Sequence, residues 1–68
     1  MYDTSSDRVR LALSKDRRLW FDGRKLATRL DISEAVVHII AARWIALGMA
    51  ESREPVEGKH VRSYRWTA

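Results

Sequence analysis

The stretch "DISEAVVHIIAARWIALGMAE", residues 31–51, decides how the rest of the chain is organised. Ser33 precedes a long apolar run, and a hydroxyl in that place accepts a hydrogen bond from a free backbone N–H at a helix start. Gly48 follows the run, the usual signal for a helix end. Together they predict a helix over about 33–47. Val37, Ile40, Ala41, Trp44 and Leu47 cover one arc of that helix, the arc expected to be buried. The opposite arc carries Glu34, Ala35, His38, Ile39, Ala42, Arg43, Ile45 and Ala46, of which only Glu34, His38 and Arg43 are polar. A helix this apolar all round calls for burial on more than one side.

Working outward, "RKLATRL" predicts a second helix over about 23–30, starting at Asp22 or Gly23. Leu26, Ala27 and Leu30 face inward at helical spacing, and Arg24, Lys25 and Arg29 face out. Asp31-Ile32 is then a tight connection. The triplet "LWF" at 19–21 breaks the helical period and is bounded by the turn signal "DG". It predicts a short strand or extended plug that carries Trp20 or Phe21 into the core.

A first helix is expected over about 5–17, with Thr4 and Asp7 at capping-box spacing and Val9, Ala12 and Leu13 on one face. Its basic residues Arg8, Arg10, Lys15, Arg17 and Arg18 point at dispersed angles and make no single stripe. After Gly48, "MAESRE" and "HVRSYRWT" flank "PVEGK", which predicts an antiparallel hairpin over 49–67 with a charged tip. Strand alternation puts His60, Arg62, Tyr64 and Trp66 on one side and Val61, Ser63 and Arg65 on the other. Trp20, Trp44, Tyr64 and Trp66 are expected in the core, because aromatics bury about 150–250 Å² each and a small core needs that area.

The 68 residues make one domain, 1–68, and a chain of this size hides only about 60% of its unfolded surface. It has no cysteine, which removes disulfides, thiolate metal sites and cysteine nucleophiles. No apolar run reaches membrane-spanning length, and "MYDTSSDRVR" lacks the apolar segment of a signal peptide, so a cytoplasmic protein without membrane contact is expected. Thirteen Lys and Arg against nine Asp and Glu give a net charge of +4, a balance that favours polyanionic partners. Glu34 and His38 have the i, i+4 spacing of a metal pair, but no third ligand lies near them in sequence. No catalytic residue, metal site or cofactor is expected, and no enzymatic activity.

The pattern Leu26-Ala27, Leu30, Ile32-Ser33, then Val37, Ala41, Trp44 and a closing Gly48-Met49 resembles bacterial winged-helix repressors of the MarR and ArsR type. The resemblance covers about residues 5–67 and is specific over 24–51. It departs at Asp31, where such proteins commonly carry a glycine in the left-handed conformation, a region Asp tolerates better than most residues. What the resemblance implies is a helix-rich α+β fold, a winged helix-turn-helix with a three-helix core and a two- or three-stranded antiparallel β-wing. It further implies a third helix in the major groove of double-stranded DNA and a wing against phosphates or the minor groove.

On that reading the DNA contacts are Arg24, Lys25 and Arg29 on the second helix, Ser33, Ala35, His38, Ile39 and Arg43 on the third, and Lys59, His60 and Arg62 on the wing. The protein would be a small transcriptional regulator or accessory factor, dimeric on its site and without a small-molecule effector. The alternative reading is a protein-interaction module, a homodimer or a docking partner, that uses Ala35, Ile39, Ala42 and Ala46 and reads no bases.

Overall fold

Thr4 accepts a hydrogen bond from the backbone N–H of Asp7 and so starts the first helix, α1, Ser5–Lys15. In the computed structural model, which describes residues 4–55 and 61–68, α1 is followed by β1 (Phe21–Asp22), α2 (Gly23–Leu30), α3 (Glu34–Ala46), β2 (Ala50–Arg53) and β3 (Ser63–Trp66). The Asp22 carboxylate accepts from the N–H groups of Arg24 and Lys25, so α2 begins at Gly23. Ser33 accepts from Val36 N–H and caps α3. Gly48 ends the α3 region with φ +77°, a conformation that costs glycine nothing.

The connection between α2 and α3 is equally local. Asp31 adopts the left-handed conformation, φ 55° and ψ 48°, and its N–H reaches back to the last turn of α2. Ile32 N–H bonds the Ala27 carbonyl. The Arg8 guanidinium of α1 donates to the Leu30 carbonyl, so a side chain from another helix satisfies a carbonyl at the end of α2.

The sheet is antiparallel with the order β1-β3-β2. Phe21 and Ser52 lie opposite Tyr64 from either side, and Ala50 lies opposite Trp66. Strand alternation therefore turns Tyr64 and Trp66 together toward the helices. They meet Val9 and Leu13 of α1, Leu26 and Ala27 of α2, and Val37, Ile40 and Ala41 of α3 in one cluster. Trp44 packs on it, its ring 5.4 Å from that of Trp66 in an edge-on pair. Among the described residues the result is an α+β fold of three helices and a three-stranded antiparallel sheet.

Several expectations need correction. The first helix stops at Lys15 rather than 17, and the strand occupies 21–22 rather than 19–21. Leu47, expected on the buried arc, is 67% exposed, because the helix has ended at Ala46 and the chain is already turning. Ile45, expected on the outer arc, packs against the core. Phe21 packs there too, whereas Trp20 does not join the core and instead has Arg53 and Arg65 over its ring, each 4.6 Å from the centroid. A strand sends neighbouring side chains to opposite faces, so only one of the two aromatics could go inward.

Candidate nucleic-acid interface

Helix α2 buries Leu26 and Ala27 and leaves Arg24, Lys25 and Arg29 in solvent, as the spacing predicts. Arg24 is partly committed, with its Nε 3.5 Å from Glu34 Oε2 on the first turn of α3. Lys25 and Arg29, with Phe21 and Leu26, line a shallow cleft of about 320 Å³. Ser33, Ala35, Ile39 and Arg43 are all exposed on or next to α3, although the Ser33 hydroxyl is occupied as the cap. Ala42 and Ala46 are exposed as well, so the apolar strip expected for a protein interface is in solvent. Val36, at 38% exposure, and Ile39, at 56%, add the largest side chains of that strip.

His38 is the correction that matters most. Its ring is half-buried rather than directed outward: Nδ1 is hydrogen-bonded to the Tyr64 hydroxyl and Nε2 lies 3.5 Å from Glu34 Oε1. The ring also lies hard against Gly23, where a Cβ would clash with the Cε1–Nε2 edge of the imidazole. His38 thus joins the start of α2, the start of α3 and the middle strand. Burial pushes the Tyr64 phenol above its ordinary value of 10.0, opposed by the nearby Arg62 charge. Helical angle alone puts His38 on the outer arc, and it misses that β3 passes close enough to receive the ring.

Arg62 is also engaged. It pairs with Glu54 at 3.0 Å and donates to Ser52 Oγ at 3.3 Å, so it braces the two long strands instead of standing free. Lys59 and His60, together with most of the hairpin tip, lie outside the described residues. Among the described residues the Glu34–His38 pair has no third ligand and no metal-holding cluster occurs. No described helix is long and apolar enough to cross a membrane.

The chain matches no family model, no curated protein and no solved structure. What bears on its function is therefore its own surface, where the exposed basic row of α2 and the exposed apolar side of α3 lie next to each other, joined by the Arg24–Glu34 pair.

Proposed function

We propose that the chain is a winged helix-turn-helix module that binds double-stranded DNA, as a small transcriptional regulator or accessory factor. The observation that carries this reading is the solvent-facing row of Arg24, Lys25 and Arg29 beside the open side of α3. In it, α2, residues 31–33 and α3 form the helix-turn-helix, and the sheet with its hairpin forms the wing. The row on α2 contacts phosphates and sets orientation. Arg43 is the hydrogen-bonding side chain left on α3 for a base edge, while Ala35 and Ile39 suit thymine methyls. His38 leaves the reading set and serves to fix the angle of α3. Base selectivity is accordingly modest, and affinity comes mainly from the backbone. A dimer on a two-fold site would compensate for the small size of one module.

A second reading is favoured by one specific observation, the exposure of Val36 and Ile39 in a strip otherwise made of alanines. Small residues let two helices approach closely, so α3 of one copy packing on α3 of another would cover this strip. The two readings compete for the same side of α3. The test is duplex titration over a salt series, alongside light scattering on a sizing column. DNA binding predicts affinity that falls steeply with salt and weakens on Arg24→Ala, Arg29→Ala or Arg43→Ala. No duplex binding at low salt, with a dimer that Ile39→Asp dissociates, would replace it with the protein-interface reading.

A further inference from the structure

Arg17 and Arg18 lie in the turn after α1, and Arg65 lies on β3. With Trp66 and Thr67 they line one cleft of about 530 Å³, where Arg65 also holds the Glu51 carboxylate. Arg65 is ion-paired with the Glu51 carboxylate, as Arg10 is with Asp7, Arg24 with Glu34 and Arg62 with Glu54. Arg17 and Arg18 are exposed and pair with no described residue. Arg65 is held in place twice, by the Glu51 carboxylate and by the Trp20 ring. It therefore loses little side-chain freedom when a further partner arrives.

Part of this arrangement has a simple account. Cations just beyond a helix C-terminus complement its dipole, and Arg17 and Arg18 follow the end of α1. The dipole does not act on Arg65, which the Glu51 carboxylate and the Trp20 ring hold at the same cleft. The exposed guanidinium groups of Arg17 and Arg18 match phosphate oxygens, to which each can present two parallel N–H donors. Arg65, already bonded to Glu51, adds a partly neutralised third cation to the same wall. β3 enters from the hairpin at Ser63 and leaves at Trp66, so the cleft sits at the end of the sheet remote from the hairpin connection.

We propose that the cleft walled by Arg17, Arg18 and Arg65 takes phosphate groups of a nucleic-acid backbone, as a contact additional to the α2–α3 face. The proposal rests on the DNA-binding reading above and extends it to a part of the surface that the helix-turn-helix does not use. Contiguous phosphates on a small molecule share the chemistry, so inorganic tripolyphosphate is the second probe.

The experiment compares duplex affinity over a salt series for the wild type and three double variants. Arg17→Ala/Arg18→Ala is expected to weaken binding roughly tenfold at low salt, and to flatten the dependence of log K on log salt by about 0.9 for each phosphate no longer neutralised. Arg24→Ala/Arg29→Ala tests the α2–α3 face, and Arg10→Gln/Lys15→Gln removes the same charge elsewhere on α1. Circular dichroism checks that each variant is folded. The proposal is overturned if the cleft variant loses no more affinity than the Arg10/Lys15 control, or if no duplex binds at all. It is also overturned if calorimetry shows tripolyphosphate bound in the cleft while the cleft variant keeps wild-type duplex affinity. If the cleft variant loses binding and the Arg24/Arg29 variant does not, the cleft stands and the α2–α3 reading fails. The reverse pattern sinks the cleft alone.

Discussion

Nδ1 of His38 on α3 and the hydroxyl of Tyr64 on β3 are hydrogen-bonded, with their rings 5.5 Å apart and tilted by 58°. This bond ties the apolar helix to the middle strand by a directional contact, which apolar packing cannot supply. Tyr64→Phe keeps the ring and removes the bond, and is expected to cost about 1 kcal/mol. Because His38 loses the same partner, a double-mutant cycle with His38→Ala should return a coupling of similar size. Urea midpoints of the four proteins measure it, and additive effects would show that the bond contributes nothing.

The same tyrosine makes stability depend on alkaline pH. Burial raises its pKa in the folded chain above the ordinary 10.0, so between the two values the folded state holds a proton that the unfolded state has released. The contribution is fully present below pH 10.0 and is lost as pH rises through the folded value. Wild type should therefore lose more stability than Tyr64→Phe on going from pH 9 to above pH 10, as read from paired denaturation curves. Equal losses would contradict the raised phenol.

Gly23 has no room for a side chain, because a Cβ there meets the His38 ring. Gly23→Ala should destabilise by about 1–3 kcal/mol, the usual cost of forcing an atom into a packed contact. Combining it with His38→Ala should recover part of that loss. A harmless Gly23→Ala would mean that the ring swings aside freely.

Asp31 occupies left-handed backbone with φ 55°. Asp31→Gly should raise stability by about 0.5–1 kcal/mol, since glycine takes this conformation without a Cβ clash. Asp31→Val should lower it by more, as β-branching is least tolerated there. Thermal melts of the two variants test the sign.

Trp20 carries two guanidinium groups over its ring, those of Arg53 and Arg65. Trp20→Leu removes the π face under both, and each cation–π pair should account for about 0.5–1 kcal/mol of the resulting destabilisation. If the cleft binds phosphates, the variant should also weaken duplex binding by loosening Arg65, with Arg17 and Arg18 intact. Unchanged stability and affinity would show Trp20 to be a bystander.

Most of the framework is legible in the sequence because it is set by neighbours along the chain. Ser33, Asp22 and Thr4 cap helices whose first N–H groups lie a few residues away, and Gly48 marks the end of α3. Helical spacing assigns Val9, Leu13, Leu26, Val37 and Ile40 to the core, and all five are buried there. Within the candidate site, Arg24, Lys25, Arg29 and Ile39 are exposed as expected, because no other described element covers those sides of α2 and α3. Spacing misplaces His38, Ile45 and Trp20 for a common reason. Each sits near the edge of an arc or strand face, where the neighbour across the fold chooses its direction.

By itself, then, the chain's order of residues determined three helices, their caps, the left-handed turn at Asp31 and the strand pattern that turns Tyr64 and Trp66 inward. These depend on hydrogen bonds and periodicities that span only a few residues. Only the tertiary structure decided that β3 lies between β1 and β2, that His38 meets Tyr64 and Gly23, and that Arg65 joins Arg17 and Arg18 around one cleft. Such meetings join residues far apart along the chain, and their geometry exists only once the sheet has closed against the helices.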